Sequence, residues 1–302
     1  MSVDRDKIYA AVEKMPAFPE SVHRVLALTA SLDTPPKDIV AVVEHDPILT
    51  MRLLNTVNSP NFGLAREVTS IKQAVVYVGM NTVKNVAIMV ATAGTLPQTS
   101  KAGLLVKAVW LHSLRVGVIS KLAARRQGVC ANELASYFVA GLLHDMGKIF
   151  CAEYLAADDK IILDQSEDSD KSATTLEQEW MDVDHAEMGA LVAEKWNLPV
   201  DLIQAIRYHH LLKEQQLQES VSLPKVLSPL TLAVCFGNLA AHHLERREAM
   251  EANVVRGGCE PIVLPDVVRT WVGGGVEEVL ESLPGLTEEI QKAQAFIASG
   301  AA

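Results

Sequence analysis

Five histidines of this 302-residue chain stand on or beside the apolar stripes of predicted helices, where a helical protein buries its core. They are His112, His144, His185, His209 and His210, and Asp145 follows directly on His144. Each buried imidazole needs a partner, because an unsatisfied polar group in a protein interior costs about 1–3 kcal/mol. If these side chains converge on one point, a shared metal ion would satisfy all of them.

The apolar residues recur at three- and four-residue spacing, and no segment alternates in the manner of a strand, so the chain is predicted to be all-α. In the first third, Asp46-Pro47 opens a helix, Ser70 caps another that ends at Gly79, and a further helix runs from about Thr82 to Ala91. Longer helices are predicted at about Leu104–Arg126, Asn132–Leu155, His185–Trp196, Val200–His210, Leu227–Glu245, Asp266–Leu283 and Thr287–Ser299.

Changes in composition divide the chain into three predicted parts. Short helices fill residues 1–100, a bundle of longer helices that carries the five histidines fills residues 101–250, and a helical extension fills residues 251–302. The first boundary falls in the polar stretch Thr95–Gly103, which contains Pro97. An acidic segment at Asp164–Asp170 is predicted to be a solvated loop.

The overall charge argues against a nucleic-acid-binding protein. The net charge is −10, so no broad basic surface is expected. The short helices between Lys37 and Gly63 loosely suggest a helix-turn-helix, but the first hundred residues balance nine basic against nine acidic side chains. We therefore expect no binding to nucleic acid.

The cysteines and the apolar runs point to a cytoplasmic protein. The four cysteines are scattered and form no close pair, which is typical of free thiols in a reducing compartment. The charged N-terminus lacks the core of a signal peptide. The longest uncharged run, Val226–Leu244, contains Pro229 and two histidines, so it is interpreted as a buried helix and not as a membrane span.

The residues themselves leave two readings of each histidine open. A single histidine such as His112 on an apolar face is more often a hydrogen-bonded core residue than a metal ligand. Several independent helices that each bury one make a shared site the better explanation. Neighbouring helical residues point about 100° apart, so His144 and Asp145 can share an ion only if it lies between their directions. His242 and His243 are expected to end a helix and to interact with its dipole.

Nitrogen and carboxylate ligands without thiolates suit iron, manganese, zinc or nickel, so one or two divalent ions are expected as cofactors. Two ions about 4 Å apart would activate a water molecule and stabilise displacement at a phosphoester. Lys148 lies one turn after His144 and could neutralise a phosphate oxygen. Asp145 and Lys148 are therefore the predicted catalytic residues.

Eight motifs together characterise the chain. They are Met15-Pro-Ala-Phe-Pro-Glu, Glu44-His-Asp-Pro-Ile-Leu-Thr, Arg52-Leu-Leu-Asn-Thr-Val-Asn-Ser, Val68-Thr-Ser-Ile-Lys-Gln-Ala-Val, Gly141-Leu-Leu-His-Asp-Met-Gly-Lys, Asp184-His-Ala-Glu-Met-Gly-Ala, Trp196-Asn-Leu-Pro and Tyr208-His-His. From about Met15 to about Leu244 the chain resembles the HDOD family, the HD-related output domain proteins of bacterial signalling. The resemblance implies an all-α protein in which family-specific N-terminal helices pack against a bundle like that of the HD phosphohydrolases.

The resemblance also implies a ligand set. On the pattern of HD and HD-GYP phosphodiesterases, the metal ligands would be His112, His144, Asp145, His185, His209 and His210, with Asp145 bridging two ions. The chain departs from that pattern at three places. The late aspartate is Asn238, Ala108 stands where some relatives carry a glutamate, and Leu211-Leu-Lys-Glu replaces the Gly-Tyr-Pro loop. Asn238 is kept as a weaker predicted ligand.

Two functions follow from these residues and the resemblance. The first is a bacterial signal-transduction protein that has kept the metal site and has weak or no catalysis, with signalling proteins as partners. The second is an active metal-dependent phosphohydrolase on a nucleotide or cyclic dinucleotide. Whether a nucleotide or other phosphoester binds, and whether the chain forms a homodimer, are left open by the sequence.

Overall fold

The computed structural model describes residues 5–31, 33–59, 62, 64–95, 103–154, 173–181, 183–210, 227–252 and 262–298. The helices are α1 Arg5–Lys14, α2 Glu20–Thr29, α3 Pro36–Glu44, α4 Pro47–Val57, α5 Ile71–Val78, α6 Met80–Thr95, α7 Gly103–Arg126, α8 Leu134–Leu143, α9 Met146–Tyr154, α10 Ala173–Met181, α11 His185–Lys195, α12 Val200–Arg207, α13 Pro229–Glu251, α14 Asp266–Val272, α15 Val276–Ser282 and α16 Leu286–Ala298. No described residue belongs to a β-strand. The predicted all-α class is confirmed.

The predicted helix starts are held by side-chain caps. Asp46 accepts hydrogen bonds from the backbone N–H groups of Ile48 and Leu49, and Ser70 accepts one from Gln73. Asp184 caps α11 in the same way, through the N–H of Glu187. These bonds satisfy donors that have no partner within the first turn of a helix. The beginnings of α4, α5 and α11 are therefore fixed by local sequence.

Several helix ends differ from the prediction. The single helix predicted for Asp266–Leu283 is wrong, because Gly273 adopts a left-handed backbone, with φ 72°, and ends α14. The helix predicted for Val200–His210 stops at Arg207, and the one predicted to end at Glu245 continues to Glu251. The helices α1 and α10 were not predicted. The single helix predicted for Asn132–Leu155 is divided into α8 and α9.

Helix α7 lies at the centre of the fold and packs against α8, α13 and α16. Helix α11 packs against α9 and α12, while α6 packs against α2, α4 and α8. One cluster of buried apolar side chains extends from Val22 and Leu53 through Leu114 to Val279. The division into residues 1–100, 101–250 and 251–302 stays a prediction. Residues 96–102 of its first boundary and the acidic segment 164–170 lie outside the described residues.

Two distant motifs meet where the N-terminal segment crosses the bundle. The indole N–H of Trp196 donates a hydrogen bond to the carbonyl oxygen of Pro16 at 3.1 Å. The ring of Phe18 stacks on the Trp196 ring with centroids 4.9 Å apart. The Lys195 ammonium donates to the carbonyl oxygens of Val12 and Glu13 at 2.7 and 2.8 Å. The first segment of the chain is thus held to α11 by polar and aromatic contacts.

No single helix among the described residues is both long and apolar enough to cross a membrane. Helices α5 and α6 reach the required length and composition only as a pair, and the pair is bent by 118°.

Asn58 closes the connection between α4 and α5. Its side-chain amide donates to the carbonyl oxygen of Val68 at 2.8 Å and accepts from the N–H of Val68 at 2.7 Å. We expect Asn58→Ala to lower the free energy of unfolding by about 2 kcal/mol, because two backbone groups lose their partner. Asn55→Ala, on the exposed side of the same helix, is the matched control and should change it by less than about 0.5 kcal/mol. Urea denaturation measures both, and equal effects would contradict the role of Asn58.

Candidate metal centre

The predicted site residues come from five parts of the fold. His112 lies on α7, His144 and Asp145 lie between α8 and α9, and His185 is the first residue of α11. Lys148 lies in the first turn of α9, His209 and His210 follow the end of α12, and Asn238 lies in the middle of α13. Asp145 is 1% exposed and His144 and His185 are fully buried, so these groups meet in the interior.

The break between α8 and α9 aims two adjacent side chains at one place. The Nδ1–H of His144 donates to the carbonyl oxygen of Gly141 at 2.7 Å. In an uninterrupted helix, that carbonyl would accept the N–H of Asp145. A side chain that competes for a helix carbonyl favours a helix end. The Nε2 atom of His144 lies 3.3 Å from Oδ2 of Asp145, so both side chains face the same cluster.

Gly147 allows α11 to approach the break. A Cβ atom at this position would overlap the carbonyl oxygen of His185 and would lie 2.7 Å from the backbone nitrogen of Gly189. No other residue type fits there without separating the two backbones. Packing therefore requires a glycine at this position, two residues after Asp145, because it lets the first turn of α11 place His185 beside Asp145.

The first oxygen of the Asp145 carboxylate faces three histidines. The Nε2 atoms of His185 and His209 lie 3.2 and 3.4 Å from Oδ1. The Nε2 atom of His210 lies 2.8 Å from Nε2 of His185. One ligand atom from each of these four residues fits within a common sphere, with all separations below 4.8 Å. The four residues are therefore close enough together to hold one metal ion.

The second oxygen faces a different set. The Nε2 atoms of His144 and His112 lie 3.3 and 3.8 Å from Oδ2 of Asp145. The Oδ1 atom of Asn238 lies 3.0 Å from Nε2 of His112. His112, His144 and Asp145 form a second group with the spacing of metal ligands. The carboxylate thus stands between two ligand sets, one on each oxygen.

The histidines are held with their Nε2 atoms toward Asp145 because their Nδ1 atoms are already bonded. Nδ1–H of His209 donates to the carbonyl oxygen of Ile206 at 2.6 Å, as that of His144 does to Gly141. Nδ1 of His185 lies 2.6 Å from the Glu177 carboxylate, and Nδ1 of His112 lies 3.0 Å from that of Glu245. An acceptor at Nδ1 fixes the tautomer that leaves the Nε2 lone pair free for a metal.

The electrostatics of the cluster favour neutral imidazoles with one ionised carboxylate. Burial lowers the pKa of His144 to about 3, although Asp145 opposes this shift. Burial also lowers the pKa values of His209 and His210. Burial would raise the pKa of Asp145, but the attraction of His144 and Lys148 holds it well below its usual range.

His185 behaves differently from His144, His209 and His210. Its burial and the nearby Lys148 ammonium oppose protonation, but the carboxylates of Glu177 and Asp145 outweigh them and raise its pKa to about 9. The two carboxylates therefore favour positive charge at this imidazole. A divalent ion there would replace that proton, since a metal ligand must be deprotonated.

Three buried atoms of the cluster have no hydrogen-bond partner among the described residues. They are Nε2 of His144, Nε2 of His209 and Oδ1 of Asp145. Leaving such atoms unsatisfied is costly in an interior, and all three are good ligands for a divalent cation. The residues present thus fit a metal, as the sequence predicted.

The structure brings all the predicted site residues together and adds details. Lys148 Nζ lies 2.6 Å from Oδ2 of Asp145, so it pairs with the carboxylate itself. The expectation that His242 ends a helix is wrong, because α13 continues for more than two turns beyond it. The His242 ring instead stacks on His112 with centroids 4.4 Å apart, and its Nδ1 lies 3.4 Å from the Glu245 carboxylate.

Sequence reasoning missed the two supporting carboxylates. Glu245 lies seven residues after Asn238, which is two helical turns, so it shares a face with the predicted ligand and could have been found. Glu177 gave no such signal. It is one acid among many between residues 153 and 187, and the helix that carries it was not predicted. His243 also lies inside α13, with its Nε2 atom 3.4 Å from Glu277.

A known protein family matches the part of the chain that contains most of these helices. The HDOD domain matches residues 15–212 of the chain. The chain belongs to the HDOD family. This confirms the resemblance, and the matched range holds every predicted site residue except Asn238. An uncharacterized protein from Treponema pallidum is 29% identical over 235 residues, which is 78% of this chain and 43% of the relative. The chain therefore spans less than half the length of that curated protein.

Solved structures show the same fold at low identity. An HDOD domain protein of unknown function from Geobacter sulfurreducens has a TM-score of 0.67 at 20% identity, over 97% of this chain and 98% of its own. A protein from Shewanella amazonensis, provisionally described as a phosphohydrolase, has a TM-score of 0.67 at 21% identity, over 96% of this chain and 97% of its own. A provisionally described signal transduction protein from Marinobacter aquaeolei has a TM-score of 0.67 at 20% identity, over 98% of this chain and 65% of its own.

Glu177 should tighten metal binding through His185. We expect Glu177→Gln to weaken the binding of Mn²⁺ or Zn²⁺ about 10- to 100-fold, because the amide no longer fixes the imidazole as a carboxylate does. Chelator competition measures the affinity. Glu194→Gln is the matched control, since Glu194 pairs with Arg207 at 3.1 Å outside the cluster. If the two variants bound the metal with equal affinity, Glu177 would not support metal binding through His185.

Glu245 should act likewise on His112. Glu245→Gln is expected to lower the affinity of the set on Oδ2 by about tenfold, and so to reduce metal content from two ions toward one. Glu248→Gln lies one turn further on the same helix and pairs with Arg115 of α7 at 2.7 Å. Elemental analysis of untagged protein should distinguish the two variants, and unchanged metal content in Glu245→Gln would count against this arrangement.

Proposed function

We propose that this HDOD protein is a signal-transduction module with a divalent metal centre around Asp145, in which hydrolysis is slow or absent. The observation that carries the proposal is a set of three buried ligand atoms, on His144, His209 and Asp145, that have no hydrogen-bond partner among the described residues. A metal-free core with these atoms would bear a large desolvation cost. The centre therefore stabilises the junction of α7, α9, α11 and α13, whatever chemistry it performs.

Two ions suit the centre better than one. The oxygens of Asp145 face separate ligand sets, with His185, His209 and His210 on one side and His112, His144 and Asn238 on the other. Asp145 belongs to both ligand sets, so it would help to hold an ion in each. Iron, manganese, nickel and zinc all accept imidazole and carboxylate ligands, so the metal itself is assigned only to this group.

Two features support weak catalysis. Asn238 supplies a neutral amide oxygen where the related phosphodiesterases supply an aspartate, so one ligand set has less negative charge. Lys148 pairs with Asp145 at 2.6 Å, so its ammonium would have to leave that carboxylate to reach a substrate phosphate. The Leu211-Leu-Lys-Glu segment, which stands in place of the Gly-Tyr-Pro loop, lies outside the described residues. Signalling proteins are the proposed partners, and cytoplasmic location and bacterial origin stay predictions.

An active phosphohydrolase is the second candidate, and Lys148 favours it. Its side chain is 20% exposed while Asp145 is 1% exposed, so it lies between the buried centre and the solvent. In a phosphohydrolase the ions would supply Lewis acidity at the phosphorus centre, and Lys148 would neutralise a phosphate oxygen. The Shewanella amazonensis neighbour supports this reading only through its provisional description.

An activity screen separates the two candidates. We expect metal-loaded protein to hydrolyse cyclic di-GMP and bis(p-nitrophenyl) phosphate far more slowly than about 1 per second, with Asp145→Ala as the background control. A wild-type rate near or above that value, lost in Asp145→Ala, would establish the phosphohydrolase and overturn the proposal.

Asn238→Asp tests why catalysis is weak. The substitution adds a negative charge 3.0 Å from Nε2 of His112, so we expect tighter metal binding at the set on Oδ2 and a rise in phosphodiesterase rate of about tenfold or more. Asn238→Ala, which removes the ligand oxygen, is the matched control. Metal content and rates that do not change in Asn238→Asp would show that this position does not limit the centre.

A further inference from the structure

A cavity of about 290 Å³ lies between the N-terminal helices and the bundle, away from the metal centre. Helices α4 to α6 supply one wall, and α7, α8 and α16 supply the other. Most of its lining is apolar, including Phe62, Val86, Met89, Leu134, Phe138 and Val139. None of the residues assigned to the metal centre contributes to it. The size and apolar lining fall near the lower end of the range for small-molecule sites.

One wall carries a polar group without a partner. The Ser59 side chain is only 7% exposed, and its hydroxyl oxygen has no hydrogen-bond partner among the described residues. Ser59 lines the cavity together with Thr56, Thr82 and Asn85, which are also buried. A buried hydroxyl without a partner is costly unless something in the cavity completes it.

The solvent side of the cavity is positively charged. Lys121 and Arg125 both line it and lie one turn apart on α7, so they share a face of the helix. Lys121 Nζ lies 3.3 Å from the carboxylate of Glu289, which is the acidic group in the lining. The three charges sum to one positive charge beside an apolar space, which favours an anion with an apolar body.

We propose that this cavity binds a small amphipathic carboxylate of the size of a medium-chain fatty acid. Its volume of about 290 Å³ lies near the lower end of the range for small-molecule sites, so a small ligand with a short apolar chain fits it. The apolar chain packs against Met89, Leu134 and Phe138, and the carboxylate pairs with Lys121 and Arg125. Because both walls contribute, a bound carboxylate connects the N-terminal helices to the bundle. The proposal does not depend on the metal centre.

Octanoate is the probe, and octan-1-ol is its uncharged counterpart. We expect saturable binding of octanoate to the full-length protein by isothermal titration calorimetry, with octanol at least tenfold weaker. Lys121→Gln should weaken octanoate about tenfold and leave octanol unchanged. Glu289→Gln should act in the opposite direction and tighten octanoate about twofold to threefold, because it releases Lys121 from its ion pair.

Ala135, which also lines the cavity, tests the location. Ala135→Phe should abolish the binding of both probes by filling the space. Ala135→Leu should weaken the binding of both, and it serves as the second variant in case Ala135→Phe does not fold. Circular dichroism confirms that each variant is folded. No saturable octanoate binding at 5 mM in roughly neutral buffer, binding that Ala135→Leu leaves unchanged, or octanol binding equal to octanoate would each overturn the proposal.

Discussion

The burial of one ionised carboxylate, that of Asp145, constrains how the surrounding helices pack. Asp145 is almost inaccessible to solvent and ionised, and moving such a charge out of water is very costly unless other groups compensate for it. Here the compensation comes from Lys148 and from imidazoles on separate helices. The segments that carry these imidazoles, which are α7, the junction of α8 and α9, the start of α11 and the end of α12, therefore meet around this carboxylate.

The supporting groups behind the histidines divide into two kinds. Backbone carbonyls of Gly141 and Ile206 hold His144 and His209, so local helix geometry orients these two ligands. The carboxylates of Glu177 and Glu245 hold His185 and His112. Each carboxylate lies on a different helix from the histidine that it holds. The first pair depends only on the chain nearby, whereas the second depends on how α10 and α13 pack. The centre is thus partly local and partly tertiary in origin.

Much of this could be anticipated from the sequence, for identifiable reasons. Caps such as Asp46 and Asp184 act over three residues, and apolar spacing places His112 and Asn238 on inward faces, so both were predictable. The break at His144 was not, because a side chain bonded to Gly141 interrupts a segment whose apolar pattern is that of one continuous helix. Glu177 was not predictable either, because its partner, His185, is recognised only once the helices are packed.

The contact between Trp196 and the Pro16 carbonyl ties the earliest part of the chain to the helix that begins with His185. A fragment that started beyond Phe18 would leave an indole face and a lysine ammonium without their neighbours. Residues 12–18 thus pack against the helix that begins with His185. Separation of these two regions would expose the Trp196 indole, which is now 1% exposed, to solvent.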